Sequence, residues 1–115
     1  MILGVALLMA ASVALQQGSS ARVAQVPKSA SPDLADGKQV YEQKCEACHF
    51  SASGEKKIGP GLAGLMKRPK FKNGMAANND NLRRVIERGG KDMPGFRSAL
   101  KEKQIRDLIA YVRTL

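Results

Sequence analysis

The sequence predicts a small all-α domain, because two stretches repeat apolar residues at helical spacing and no stretch alternates as a strand would. One helix face is marked by Leu82, Val85 and Ile86, and a second apolar stripe runs from Ile105 to Val112. The chain holds two Tyr, three Phe and no Trp. Because so few aromatic side chains give a thin core, we expect the domain to need covalent or metal support.

The N-terminal segment indicates export. Residues 2–15 are apolar and uncharged, and as a helix they would span roughly 21 Å, less than the ~30 Å hydrocarbon core of a membrane. Small residues at Ser19 and Ala21, or at Ser12 and Ala14, suit cleavage, although no Lys or Arg precedes Arg22. We therefore predict a signal peptide at residues 1–21, with an uncleaved membrane anchor as the alternative, and a domain outside the cytoplasm.

Residues 22–31 show no sustained periodicity, so we predict a flexible linker there and the folded domain at residues 32–115. Ser31-Pro32-Asp33 offers an N-cap, a first-turn proline and an early acid. The first helix should therefore begin here and continue to the cysteines.

The rest of the chain predicts loops and two more helices. Glycines, prolines and lysines between residues 54 and 78 favour loops, with one short helix near residues 61–66. Asn79-Asp80 can cap the next helix, and Gly89 should end it. The last helix has Leu100-Lys101 where a Ser or Asp cap is usual, which leaves its capping unassigned.

The stretch Cys45-Glu46-Ala47-Cys48-His49 is the most informative motif, because two cysteines separated by two residues and followed by histidine are typical of covalent haem attachment. Residues three apart lie on one face of a helical turn, so both sulfurs can reach one porphyrin edge and form thioethers. His49 is the only histidine of the chain, and its imidazole can bind the iron.

Three other uses of the cysteines compete with this interpretation. A thioredoxin-like pair would need a preceding strand and a βαβ pattern, and neither is indicated. A structural zinc site needs four ligands, whereas Cys45, Cys48 and His49 supply three. A simple disulfide is compatible with an exported chain, but it would leave His49 and the methionine loop without a role.

The second iron ligand is sought among the methionines, because thioether sulfur suits iron that is paired with imidazole. Met93 is the best candidate, since it follows Gly89 and Gly90 and precedes Pro94 in a loop that can approach a flat ring. Met66 and Met75 are weaker candidates.

These motifs resemble those of the small class I c-type cytochromes, in register over most of residues 31–115. The segment at 37–44 resembles the family's first helix, in which a glycine and an aromatic residue pack against the last helix. Residues 107–112 are similar to that last helix, with Leu108 and Tyr111 at the crossing. The resemblance implies a compact cytochrome c fold, in which the N- and C-terminal helices cross around one haem c.

The resemblance also implies two further residues of the haem pocket. Pro60, in Ile58-Gly59-Pro60-Gly61-Leu62, falls where the family places a carbonyl that accepts a hydrogen bond from the ligating histidine. Arg68 falls where some members place an arginine near a haem propionate, although a solvated surface arginine would look the same. The tryptophan that some relatives use at a propionate is absent.

The ligand count predicts function. With His49 and Met93 both bound, the iron has no open site for substrate, so we expect a one-electron carrier and not an enzyme. A haem subunit of a larger oxidoreductase is the first alternative. A ligand-binding sensor or peroxidase-like enzyme is the second, and the lack of another histidine for acid–base work speaks against peroxidase chemistry.

Charge predicts the partners. Nineteen basic residues against ten acidic ones give a formal charge of +9, which favours redox proteins with acidic docking surfaces. No nucleic-acid-binding motif accompanies the basic composition, so nucleic acid is not expected. We expect a monomer or a subunit of a redox complex, and membrane association only through the N-terminal segment.

Overall fold

The structure is a computed structural model that describes residues 31–115. The predicted signal peptide at 1–21, and residues 22–30 of the predicted linker, lie outside the described residues.

Three α-helices and one short 3₁₀ helix form the described part of the chain. They are α1 (Leu34–Lys44), the 3₁₀ helix Leu65–Lys67, α2 (Asn79–Arg88) and α3 (Glu102–Val112). Residues 31–115 contain no β-strand, only one isolated antiparallel bridge between Lys70 and Ala76. The predicted all-α class is therefore confirmed.

Helix α1 begins two residues later than its sequence suggests. The carboxylate of Asp33 accepts hydrogen bonds from the amides of Ala35 and Asp36, at 2.9 and 3.1 Å, so Asp33 is the N-cap. The prediction of Ser31 as the cap is wrong, because three consecutive residues suit a helix start and only the carboxylate reaches the first-turn amides.

Helix α2 begins one residue earlier than predicted and ends as predicted. Its N-cap is Asn78, whose side chain accepts from the amide of Asn81 at 2.9 Å, so Asn79-Asp80 is not the cap. Gly89 ends the helix with φ of 68°, a left-handed conformation that glycine adopts without steric cost.

The start of α3 has no Ser or Asp cap, and a different hydrogen bond caps it. The amide of Lys101 donates to the side-chain oxygen of Gln104 at 2.9 Å. This is the second half of a capping box, in which a Gln three residues into the helix reaches back to the cap amide.

The crossing of α1 and α3 organises the domain. A Cβ added at Gly37 would overlap the carbonyl of Asp107 and the Cβ of Tyr111, so the two backbones touch where a side chain is missing. One turn later, the rings of Tyr41 and Tyr111 pack with centroids 5.6 Å apart. The predicted packing of the N- and C-terminal helices across each other is confirmed.

The core lies along this crossing and extends to α2. Ile105, Leu108, Ile109 and Val112 of α3 are all buried, as their spacing predicts. The other buried apolar residues are Val40, Tyr41, Cys45, Leu62, Leu65, Phe71, Leu82, Ile86 and Leu100.

One charged group is buried with them. Asp107 is only 1% exposed; its carboxylate accepts from the amide of Asp33 at 3.0 Å and from Lys103 at 2.6 Å. Lys103 also binds Asp36 on α1 at 2.6 Å. The start of α1 is therefore fastened to α3 by an ionic cluster that the apolar pattern did not predict.

Among residues 31–115, no helix is long and apolar enough to cross a membrane.

Candidate haem-binding site

The two cysteines lie on a helical turn that continues from α1. The amides of Cys48 and His49 both donate to the carbonyl of Cys45, at 3.0 and 2.9 Å. Both thiols are free, and Cys45 is buried while Cys48 is half-buried. The backbone thus has the conformation that places residues three apart on one side, as two thioethers to one ring require.

His49 is held by a backbone acceptor. It is 9% exposed, and its Nδ1 lies 2.7 Å from the carbonyl oxygen of Pro60. With Nδ1 donating to this carbonyl, the neutral ring keeps Nε2 as its free lone pair, which is the form that binds a metal.

The backbone of Gly59 packs directly against the imidazole ring of His49. A Cβ at this position would overlap Cε1 and Nδ1 of His49. The amide of Gly59 donates to the carbonyl of Cys48 at 2.7 Å, which draws the loop onto the cysteine turn. Glycine is required here because the imidazole occupies the space of a side chain.

Tyr41 is a site residue that sequence reasoning missed. It was expected only at the helix crossing, but its hydroxyl donates to the carbonyl of His49 at 2.6 Å in a buried position. Burial raises the pKa of Tyr41, so the hydroxyl stays protonated and able to donate at neutral pH. The only signal in the sequence is its place eight residues before His49.

The Cys45 thiol is not activated as a nucleophile. Burial raises the pKa of the Cys45 thiol to about 11, and the nearby Cys48 acts in the same direction. Reactive thiols have lowered pKa values, so Cys45 would not be the attacking thiol of a redox pair. Residues 31–115 hold no group of three or more His, Cys, Asp or Glu side chains that could hold a metal ion.

The three methionines of the described chain differ in their surroundings. Met66 and Met75 pack against the hydrophobic core, and the Sδ of Met75 accepts from the side-chain amide of Asn73 at 3.3 Å. Met93 is half-buried in a loop that closes on itself, since the amide of Gly90 donates to the carbonyl of Met93 at 2.9 Å.

Arg68 braces the loop that carries Pro60. Its Nη2 donates to the carbonyls of Gly61 and Ala63, at 3.0 and 2.8 Å. This position explains why an arginine is useful here without any ligand. Its contact with a propionate stays a prediction.

The residues present fit a covalently bound haem. Two free thiols lie on one helical turn. The Nδ1 of the adjacent His49 is hydrogen-bonded to a carbonyl, and Gly59 leaves room for the imidazole ring. A methionine loop elsewhere in the same domain carries a thioether, which is a soft donor of the kind that suits iron paired with imidazole.

Known proteins are similar to this chain over most of the described residues. The family described as "Cytochrome C oxidase, cbb3-type, subunit III" matches residues 32–112. Cytochrome c2 of Rhodopila globiformis is 32% identical over 72% of this chain and 93% of its own length. The solved structure of cytochrome c6 from the diatom Phaeodactylum tricornutum shares 26% identity at a TM-score of 0.58, over 71% of this chain and 92% of that one.

A third relative is much longer. One of the subunits of the nicotinate dehydrogenase of Pseudomonas putida is 32% identical over 70% of this chain, but the chain spans only 7% of that protein. The same domain thus occurs both as a small protein and as a part of a large one. Since the family match extends over residues 32–112, this chain belongs to the cytochrome c family, as a small class I c-type cytochrome that carries electrons on haem c.

Proposed function

We propose that this cytochrome carries single electrons between extracytoplasmic redox proteins on one haem c, attached through Cys45 and Cys48 and ligated by His49 and Met93. The observation that carries the proposal is the 2.7 Å hydrogen bond between His49 Nδ1 and the Pro60 carbonyl. It orients the only histidine of the chain with its other nitrogen free for iron.

The ligand set restricts the chemistry to electron exchange. Haem c supplies an iron that changes its charge by one electron. His49 and Met93 would hold the iron, and with both bound no position would be open for a substrate. Thioether ligation raises the reduction potential relative to ligation by two imidazoles or by thiolate. Arg68, fixed on two loop carbonyls, is the residue we assign as the pocket's cation for a propionate.

Charge and the N-terminal segment support the choice of partners. The formal charge of +9 favours electron donors and acceptors with acidic docking surfaces. The signal peptide proposed at residues 1–21, followed by the linker at 22–31 and the haem domain at 32–115, would put the carrier and its partners outside the cytoplasm.

The test is optical spectroscopy of the haem-loaded protein and of Met93→Ala. The wild-type protein is expected to be low-spin, with the weak red methionine–iron band and no response of the ferrous form to carbon monoxide. Met93→Ala should lose that band, bind carbon monoxide and have a lower potential, since axial ligands span a range of roughly 0.8 V.

Met75→Ala is the matched control, because Met75 packs against the core and its sulfur accepts a hydrogen bond. It should lose stability and keep the spectrum. If the wild-type protein is high-spin or binds carbon monoxide rapidly, Met93 is not a firm ligand, and a ligand-binding sensor or enzyme becomes the better proposal.

A fixed haem subunit is the second candidate function, favoured by the match to a short part of the nicotinate dehydrogenase chain. Such a subunit would receive electrons inside a complex and not by diffusion. Size-exclusion chromatography of gently solubilised native extracts separates the two, since haem at the mass of the monomer supports the diffusing carrier and haem in a large complex supports the fixed one.

A further inference from the structure

A cleft of about 280 Å³ lies between the start of α2 and the second half of α3. We call it the arginine cleft after Arg83, Arg106 and Arg113. The residues that line it are Pro32, Asn79, Asp80, Arg83, Arg106, Ile109, Ala110 and Arg113. None of them belongs to the candidate haem-binding site.

Arg83 is already neutralised within the protein. Its guanidinium binds both carboxylate oxygens of Glu102, at 2.7 and 2.9 Å, and one of Glu87 at 3.1 Å. These hydrogen bonds fix the Arg83 side chain, which lines the cleft but has its charge balanced by Glu87 and Glu102.

Arg106 and Arg113 have no such partners. Neither makes a side-chain hydrogen bond or ion pair with any residue in the described range 31–115, and Nε of Arg106 is buried without an acceptor. The acids nearest to Arg106 on α3 are engaged elsewhere, Glu102 by Arg83 and Asp107 by Lys103. Two guanidinium groups thus keep unused donors beside one cleft.

The lining of the cleft and the spacing of its arginines indicate the chemistry of its ligand. Its apolar surface comes from Pro32, Ile109 and Ala110, and Asp80 is the one acid in its lining. Arg106 lies on α3 and Arg113 is the C-cap residue of that helix. Two turns separate them, about 10 Å along the axis, which is wider than one small oxyanion. Guanidinium groups bind carboxylates in a bidentate fashion, so two spaced carboxylates on an apolar support would match them.

We propose that the arginine cleft docks an acidic segment of a partner protein, whose carboxylates pair with Arg106 and Arg113 while its aliphatic groups lie against Pro32 and Ala110. The cleft would hold the cytochrome on its partner at a place separate from the haem site. This docking does not depend on the identity of the iron ligands.

Fluorescence anisotropy at fixed ionic strength tests the proposal with the haem-loaded protein. The probe is a labelled amphipathic peptide with glutamates two helical turns apart on one face, compared with the same peptide carrying glutamines. The glutamate peptide is expected to bind about tenfold more tightly. Arg113→Glu should weaken its binding about tenfold, and the milder Arg106→Gln about threefold or more.

Arg84 provides the matched control, since it is exposed on α2 and does not line the cleft. Arg84→Glu and Arg84→Gln make the same charge changes and should alter binding less than about twofold. The visible spectrum should be the same in all variants, which keeps this test separate from the ligation of the iron. Equal losses in the Arg84 variants, equal binding of the two peptides, or equally tight binding of free glutarate would overturn the proposal.

Discussion

At the scale of single residues, the imidazole of His49 is positioned by three neighbouring residues. The Pro60 carbonyl fixes Nδ1, the Tyr41 hydroxyl fixes the His49 carbonyl, and Gly59 lies against the ring. Such supporting contacts set the orientation and basicity of a metal-binding histidine. If His49 binds iron as proposed, the strength of that bond should depend on Pro60, Tyr41 and Gly59, which are not themselves proposed as ligands.

Gly59→Ala tests this dependence. The added methyl group would overlap the imidazole, so either the ring or the loop must move, and we expect a weaker His49–iron bond with a partly high-spin spectrum and a loss of roughly 1–3 kcal/mol of stability from overpacking. Electron paramagnetic resonance of the ferric protein and urea unfolding measure the two effects.

Gly90→Ala is the control for that substitution. A Cβ at Gly90 meets no heavy atom within 4 Å, so this variant should keep both the low-spin spectrum and the stability. The same spectral change in Gly90→Ala would show that loss of glycine, and not contact with the ring, is responsible.

At the scale of helices, the α1–α3 crossing depends on Gly37. Alanine favours a helix over glycine by up to about 1 kcal/mol, yet a Cβ here would overlap the backbone of α3 at Asp107. We expect Gly37→Ala to lose roughly 1–3 kcal/mol, because overpacking exceeds the gain in propensity. Urea unfolding should show this loss, while Gln39→Ala at an exposed position of α1 should have little effect. A stabilised Gly37→Ala would contradict the close approach of the two helices.

The ionic cluster between α1 and α3 should make stability depend on acid. Burial acts to raise the pKa of Asp107, but the Lys103 ammonium and the Asp33 amide outweigh it, and the pKa lies below its ordinary value of 3.8. The groups that face Asp107 are thus Lys103 and the Asp33 amide, with Asp36 and Arg106 nearby. Since the folded pKa is the lower one, this contribution is present above pH 3.8 and is lost as the pH falls through the folded value.

Asp107→Asn isolates that contribution. At neutral pH it should cost roughly 2 kcal/mol, because a charge-assisted hydrogen bond to Lys103 is lost, and the difference from the wild-type protein should shrink below pH 3.8. Chemical unfolding at a series of pH values measures both. A difference that stays constant down to strong acid would mean that Asp107 does not titrate with a lowered pKa.

The sequence predicted the existence of the helices better than their first residues, their capping partners and their side-chain contacts. Gly89 ends α2 as expected, since glycine there has one clear conformational role. The start of α1 was misplaced because Ser31, Pro32 and Asp33 all suit a helix start. Gln104 as a cap partner and the Tyr41–His49 bond depend on contacts that spacing alone does not reveal. Asp107 looks like a solvent-facing acid until its partners on α1 are known.

At the scale of the whole molecule, the hydrophobic core is small for a domain that must fold stably. Within residues 31–115 it comprises thirteen buried apolar residues, which follow the helix crossing and the flank of α2. Domains of this size usually need a covalent or metal support. Haem held by Cys45, Cys48, His49 and Met93 would supply that support, which links folding to cofactor attachment.

We therefore predict that the domain without haem is largely unfolded. The double variant Cys45→Ala, Cys48→Ala, prepared without haem, should show little helical circular dichroism and no cooperative thermal transition, whereas the haem-loaded protein should show both. A native-like helical spectrum of the haem-free variant would refute this dependence.

The contacts around the cysteine turn have a consequence for evolution. The acceptors that shape it are main-chain carbonyls, those of Cys48, His49, Pro60, Gly61 and Ala63. Carbonyl oxygens survive most substitutions at the residues that carry them. Exposed side chains can therefore diverge to suit new partners while the imidazole keeps its place. A lineage of such proteins could exchange docking partners without rebuilding its redox centre.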